Sequence, residues 1–149
     1  TEQETNLSIF TSFSGKISNN INFDVGGRLE NFSFKGVLND NVVSDTNYLL
    51  LFPNLSLSYV SKSQMLRFSA GYNRTVTRPQ FSQLNPTKSY INNYVIMSGN
   101  PFLRPMVSDD YSLFLILLNS QYLFAKYTTY KDLIVYDNFF LTDSIMLFK

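Results

Sequence analysis

The feature that most constrains this chain is a two-residue alternation between apolar and polar side chains. The alternation is strictest in Ile21–Asn31. One side of that segment carries Ile21, Phe23, Val25 and Leu29, and the other carries Asn22, Asp24, Arg28 and Glu30. Successive side chains of a β-strand point to opposite faces, so this period predicts a strand with one apolar and one polar face.

The same alternation recurs along most of the chain. It predicts further strands at Glu4–Lys16, Tyr48–Tyr59, Met65–Thr77, Val107–Leu118 and Gln121–Lys131. The last segment, Leu133–Phe148, is predicted to hold one more hairpin, or a strand and part of a loop. The sequence therefore predicts an all-β protein.

The lengths of the connections alternate between short and long. Short turns are predicted at Ile17–Asn20, Ser61–Gln64 and Asn119–Ser120. Long connections are predicted at Phe34–Thr46 and between Pro79 and Pro105. Most loops of a compact soluble domain are short, whereas an outer-membrane barrel has tight turns at one end and long loops at the other. The pattern favours antiparallel up-and-down strands that form part of a transmembrane outer-membrane β-barrel.

Two further features of the strands lead to predictions. Pro53 has no N–H for a ladder, so we expect a strand start, an edge or a bulge there. Aromatic side chains near strand ends are expected to form girdles at the membrane interfaces. These aromatics are Tyr48, Phe52, Tyr59, Tyr72, Tyr111 and Tyr122.

Composition narrows the range of chemistry. The chain has no Cys and no His, which excludes disulfides and thiolate metal sites and removes the commonest metal ligand and general base. The carboxylate pair Asp109–Asp110 is a weak candidate for a catalytic or calcium site. A net charge of +1 gives no case for nucleic acid. We expect no metal, no cofactor and no enzymatic activity.

One run of residues resembles a known family. It reads GYNRTVTRPQFSQLNP from Gly71 to Pro86 and continues as SGNPFLRP from Ser98 to Pro105. Gly27–Glu30, Asn47–Pro53 and Tyr130–Ile134 support it. These segments resemble the C-terminal barrel region of the TonB-dependent receptor and outer-membrane β-barrel family common in Bacteroidetes.

The resemblance implies a function for a longer parent protein. Residues 1–149 would be a fragment of a barrel domain of about 22 strands, with no signal peptide and no plug domain of its own. The parent would lie in the bacterial outer membrane and import a scarce extracellular solute by TonB-dependent uptake. Its partners would be outer-membrane lipid, the plug domain, the energy-coupling protein and that unidentified solute.

Two arginines are candidate ligand-binding residues. Arg74 and Arg78 lie four positions apart, so on a regular strand they share a face. In one interpretation they line the lumen near its outer mouth and meet an anionic ligand or the plug. In the other they form structural ion pairs across strands with carboxylates such as Glu30 or Asp109.

A second candidate site lies in the long connection, which is expected to be an extracellular loop. Tyr90, Asn92, Asn93 and Tyr94 combine aromatic rings with amides, a combination that stacks on and hydrogen-bonds a sugar or another polar ligand. The same residues also suit a loop packed on itself. Gly99 within this loop is expected to serve turn chemistry, since glycine tolerates positive φ.

A rival interpretation belongs to a different class of protein. The chain would then be a soluble extracellular β-sandwich that binds carbohydrate or mediates adhesion. In the barrel interpretation Leu115, Leu117 and Leu123 face lipid, whereas a sandwich must cover them with a second sheet.

Overall fold

A computed structural model of the chain describes residues 2–38, 41–118, 120–142 and 145–148. Six long strands form one sheet: β1 (Glu2–Ser18), β2 (Ile21–Leu38), β3 (Asn41–Val60), β4 (Leu66–Thr77), β7 (Met106–Leu117) and β8 (Gln121–Lys131). A smaller sheet contains β5 (Ser89–Asn92), β6 (Val95–Met97), β9 (Asn138–Thr142) and β10 (Ile145–Phe148). One short helix, α1 (Phe81–Leu84), precedes β5.

The large sheet is an open, antiparallel, up-and-down sheet. Its order is β1-β2-β3-β4-β7-β8, so neighbours in space are neighbours in the chain apart from the insertion between β4 and β7. Every pairing in it is antiparallel. This confirms the predicted all-β, up-and-down fold. The smaller sheet has the order β5-β6-β10-β9, and β9 with β10 forms the predicted last hairpin.

Three of the short turns lie at the same end of the large sheet. The β1–β2 and β3–β4 turns are short, as predicted. The third turn joins β7 to β8, and its Asn119 lies outside the described residues. Gln64 and Leu118 take left-handed conformations, with φ of 59° and 52°, which lets the chain reverse quickly. β4 begins at this end and runs to Thr77, so the long insertion that follows it leaves from the opposite end of the sheet.

The prediction that Phe34–Thr46 forms a long polar connection is wrong. β2 and β3 remain paired through this segment, up to the pair Leu38 and Asn41. Phe32 and Phe34 are buried there, which gives the extended hairpin a packing surface that its polar sequence does not suggest. Residues 39 and 40 lie outside the described part.

The register separates the large sheet into two faces. The apolar face is defined by cross-strand rows such as Leu29 with Leu51 and Leu113 with Ala125. Its members include Leu7, Ile9, Phe13, Val25, Leu29, Leu49, Leu51, Leu55, Leu57, Leu113 and Leu123, all exposed. Leu115 and Leu117 lie on the same face, as predicted.

The opposite, polar face carries charged side chains that include Arg28, Glu30 and Lys126. Its rows include Asp24 with Ser56 and Asn73 with Asp110. No second layer covers the apolar face within the described residues, where Leu7 is 73% and Ile9 is 71% exposed. A soluble sandwich would bury such a face, so the sandwich interpretation finds no support.

The predicted aromatic girdle is partly wrong. Tyr72 and Tyr111 do lie on the apolar face, where the Tyr111 ring centre is 5.1 Å from that of Tyr72 and 6.2 Å from that of Tyr127. Tyr59 lies on the same face, nearer the tight turns. The other three proposed members, Tyr48, Phe52 and Tyr122, lie on the polar face. Successive side chains of a strand alternate between the two faces, and each of these three aromatics lies an odd number of positions from its strand's apolar-face residues.

Pro53 lies inside β3, at the point where β3 ceases to pair with β4 and becomes an edge strand on that side. It pairs with Gly27 of β2, while the pairing of β3 with β4 ends one residue later, at Asn54 and Asn73. The N–H of Val60 points toward β2, so alternation directs the nitrogen of Pro53 toward β4. A proline leaves no unpaired donor on that open side, which confirms the edge interpretation.

No helix in the described part of the chain is long and apolar enough to cross a membrane.

Candidate functional site at the outward end of the polar face

The insertion between β4 and β7 does not project freely as the expected loop. Residues 78–105, hereafter the excursion, fold back so that α1 packs on the polar face. Leu84 is 7% exposed and lies against Phe32 and Phe34, which are 7% and 4% exposed. The ring of Phe81 lies 6.3 Å from that of Phe34. With the half-buried Tyr48, Phe81 and Leu103 beside them, these residues form an aromatic cluster that fixes the excursion to the wall.

Hydrogen bonds give the excursion a defined internal structure. The Gln80 N–H donates to Gln83 Oε1 at 2.7 Å, which closes the start of α1. The Gly99 N–H donates to the Asn85 carbonyl at 2.8 Å, and the Asn100 N–H donates to the Gln83 carbonyl at 2.6 Å. The excursion therefore closes on itself near its two ends.

Gly99 is required by close approach and not by its backbone conformation. Its φ is not positive, unlike the sequence-based expectation. A Cβ at this position would lie 2.5 Å from the Gln83 oxygen and 2.6 Å from the Asn85 oxygen. Since both atoms belong to the backbone, any larger residue forces the two chain segments apart.

A three-residue ion-pair cluster lies beside the aromatic cluster. Glu30 is 5% exposed and lies between Arg28 and Arg78. The Arg28 Nε is 3.0 Å from Glu30 Oε1, and Arg78 Nη2 donates to Glu30 Oε2. Two cations share one carboxylate, so the cluster keeps a net positive charge.

Each arginine of the cluster also covers an aromatic ring. The Arg28 guanidinium carbon lies 4.5 Å from the Phe52 ring centre, and that of Arg78 lies 4.4 Å from the Phe32 ring centre. The planar guanidinium can stack on a ring face, whereas the ammonium group of lysine keeps only the electrostatic attraction. The Nε of Arg78 is buried and has no hydrogen-bond partner among the described residues.

Arg74 and Arg78 do not share a face, contrary to the prediction. Arg74 lies in β4 on the apolar face, where its Nε and Nη2 bind the two oxygens of Asp109 at 2.7 and 3.0 Å. The Tyr72 hydroxyl donates to the same carboxylate at 2.7 Å. β4 ends at Thr77, so Arg78 lies beyond the region in which strand alternation applies.

The alternative interpretation of the two arginines matches the structure. Arg78 pairs with Glu30 and Arg74 pairs with Asp109, the two carboxylates expected for structural ion pairs. Only Arg78 reaches the polar face, while Arg74 lies on the apolar one. A role in ligand binding stays a prediction for both residues.

The neighbouring carboxylates Asp109 and Asp110 point to opposite faces. Asp110 lies on the polar face, 3.1 Å from the Lys126 ammonium nitrogen, and accepts a 2.5 Å hydrogen bond from Thr128. Because the sheet divides the two side chains, they form no joint catalytic or calcium site.

The four polar loop residues predicted to contact a ligand lie in and around the β5–β6 hairpin. Tyr90 and Tyr94 are 72% and 64% exposed, and Asn93 is exposed as well. Asn92 Oδ1 accepts a hydrogen bond from the Tyr94 N–H at 2.8 Å, so this amide serves the turn. The hairpin belongs to the small sheet, whereas Arg74 and Arg78 belong to β4 and its end. Ligand contact at the hairpin stays a prediction.

A cleft of about 470 Å³ is a feature that sequence reasoning missed. It separates the excursion from residues 133–137, which follow β8. Its walls include Gln83, Met97, Asn100, Leu103, Val135 and Tyr136. Leu103 also contacts the aromatic cluster, so the cleft adjoins the docked excursion. No local motif marks residues 135–137, and only the return of the chain from β8 brings them here.

Comparison with known proteins agrees with this architecture. Residues 3–144 match the model of the outer membrane protein beta-barrel family. Searches of curated proteins and of solved structures returned no match. An open up-and-down sheet with an exposed apolar face is what a segment of such a barrel requires. Because the family match spans nearly all of the residues given, this chain belongs to the outer membrane protein beta-barrel family of the bacterial outer membrane.

Proposed function

We propose that this chain forms part of the wall and the outer mouth of a receptor that takes up an extracellular solute by TonB-dependent import, of the type common in Bacteroidetes. The observation that carries the proposal is the docking of the excursion on the polar face through the aromatic and ion-pair clusters. A wall that only spans the membrane has no use for a structured insertion held on one face. Fixed polar groups beside a cleft are what solute binding requires.

The two faces give the proposal an orientation. The exposed leucines of the apolar face meet outer-membrane lipid, and the polar face lines the lumen. The tight turns then lie on the periplasmic side, and the excursion lies on the lumen wall near the outside. A solute that arrives from outside meets the excursion and its cleft before the rest of the wall.

Binding and passage, and not catalysis, are the role that we assign to these residues. The charged groups around the excursion serve as structural pairs: Glu30 is shared by two arginines, and Asp109 is held by Arg74 and Tyr72. A carboxylate engaged in this way is a poor general base. The energy for import would come from the coupling protein and reach the plug domain of the longer parent protein.

Arg28 is the residue of the ion-pair cluster best placed to meet a partner in the lumen. Its side chain is 49% exposed, and its pairing to Glu30 uses Nε. The terminal guanidinium nitrogens therefore remain available to an acidic group on the plug or on a solute. Arg78 is more enclosed, with a side chain 33% exposed and stacked on Phe32.

The test is uptake by cells with and without the intact parent protein. Deletion of its gene is expected to abolish growth on at least one sole nutrient supplied at low concentration, and the wild-type gene is expected to restore it. Removal of the energy-coupling protein should have the same effect as the deletion. Growth that depends on the barrel but not on the coupling protein would show a passive pore and contradict the proposal.

A further inference from the structure

We propose that the cleft between the excursion and residues 133–137 is a binding subsite for a neutral, sugar-like solute. This inference rests on the proposed receptor function and names the class of ligand for it. The cleft has a volume of about 470 Å³, within the range of small-molecule sites.

A direct hydrogen bond joins the two walls of the cleft. Gln83 Nε2 donates to the Tyr136 hydroxyl at 3.0 Å, which fixes the ring of Tyr136 relative to the excursion. The other end of the Gln83 amide is held by the Gln80 N–H. Both partners of the bond are therefore positioned before a ligand arrives, which lowers the entropic cost of binding.

Several hydrogen-bonding groups in the cleft retain capacity for a ligand. Asn100 Oδ1 accepts from the Phe102 N–H at 3.1 Å, which leaves the side-chain NH₂ of Asn100 to donate. The Tyr136 hydroxyl accepts from Gln83 and can still donate its own proton. Ser82 lies at the exposed edge of the same cleft. Hydroxyl groups, which both donate and accept, match this mixture.

The apolar part of the cleft suits the C–H faces of a sugar ring. The Tyr136 side chain is 67% exposed and offers a flat aromatic surface. Leu103 and Val135 border it, so an aromatic and aliphatic surface lies beside amide groups. Rings with an apolar face and a polar edge bind at such surfaces.

Among the described residues, the lining of the cleft offers no cation to an anionic ligand. Asp137 is the charged residue among those that line it in the described part of the chain. The positive ion-pair cluster belongs to the wall below, around Glu30, and not to this lining. A neutral saccharide therefore fits better than a uronic acid or another anion.

The test uses the intact outer-membrane protein purified in detergent, with binding measured by titration calorimetry. The probes are maltotriose and cellotriose as neutral saccharides, a trimer of galacturonic acid as the anionic arm, and N-acetyl-trialanine amide as the peptide arm. We expect binding of a neutral trisaccharide and weaker or no binding of the other two classes. Binding of the anion or the peptide without binding of either neutral saccharide would overturn the proposal, as would no saccharide binding up to about 10 mM.

Variants locate the site. Tyr136→Ala removes the ring and should weaken saccharide binding about tenfold or more. Tyr136→Phe keeps the ring and loses the hydroxyl, so we expect a smaller loss of saccharide affinity than in Tyr136→Ala. This variant also tests the site if the alanine variant fails to fold. Tyr122→Ala removes an exposed tyrosine of β8 that does not line the cleft and serves as the matched control. Loss of binding in the Tyr122 variant with normal binding in both Tyr136 variants would place the site elsewhere and refute the proposal.

The binding and uptake experiments separate this inference from the receptor proposal. Saccharide binding without energy-dependent uptake would leave the subsite in place and refute the receptor function. Energy-dependent uptake of some other solute, without saccharide binding, would refute the subsite and leave the receptor function in place.

Discussion

Phe34→Ala is the substitution that best tests the docking of the excursion on the polar face. The Phe34 side chain is 4% exposed at the centre of the aromatic cluster, against Phe81 and Leu84. Within the described residues, the core consists of few buried side chains, so the excursion relies on this cluster. Loss of the ring should release α1 from the wall without breaking the β2–β3 ladder.

The size of the effect follows from the burial of the ring. Removing a buried phenylalanine side chain costs about 3–5 kcal/mol, and a small cluster that can partly collapse lies near the lower end. A loss of about 3 kcal/mol raises the undocked population of the excursion roughly 150-fold. Hydrogen exchange should report this change at the amides of Asn85, Gly99 and Asn100, which donate within the excursion.

The assay is hydrogen exchange with mass spectrometry on the intact protein in detergent. Peptides that cover the excursion should exchange about two orders of magnitude faster in Phe34→Ala, while β2 and β3 keep their protection. Phe10→Ala is the matched control, because Phe10 lies on the same face and is 78% exposed. Unchanged exchange in the excursion of Phe34→Ala, or an equal increase in the Phe10 variant, would refute the docking argument.

Three further substitutions test other parts of the structure. Leu57→Arg places a charge on the apolar face and should destabilise membrane assembly by about 2–4 kcal/mol near the bilayer midplane, whereas Ser58→Arg on the polar face should not. The amount of folded protein in the outer-membrane fraction, measured by heat-modifiable gel mobility, distinguishes the two variants. Equal assembly of both would contradict our assignment of the faces. Gly99→Ala should open the excursion, because the added Cβ would collide with two backbone carbonyl oxygens. Gly27→Ala should be neutral, because its Cβ would meet nothing within 4 Å. Equal thermal stability and equal hydrogen exchange in the two variants would contradict this argument. Glu30→Gln leaves two arginines without their carboxylate. Because both arginines are partly exposed, the excursion should lose about 3 kcal/mol, the lower end for a broken buried pair, and exchange faster. Exchange like that of the wild type would show that the ion pairs are dispensable.

The strands were predictable because alternation is a local property. The β8 bounds agree with the prediction, and β4 and β7 differ from it by a residue at their ends. The β2–β3 connection was not predictable in this way. Its residues look polar in sequence, yet Phe32 and Phe34 are buried by an excursion that begins more than forty residues later in the chain.

The candidate site was only partly predictable. The ion-pair partners of Arg74 and Arg78 were anticipated, because a strand places opposite charges within reach of each other. Their shared face was not, because β4 ends before Arg78. The cleft at Tyr136 had no sequence signal, since its two walls come from segments far apart in the chain.

The sequence by itself determined the all-β class, the up-and-down order and the division into an apolar and a polar face. Those properties follow from side-chain period and turn lengths, which act between near neighbours. The tertiary structure alone decided that the excursion lies against the polar face, that Glu30 holds two arginines, and that residues 133–137 complete a cleft. Such contacts depend on which distant surfaces bury each other, and burial is a property of the folded chain and not of any local pattern.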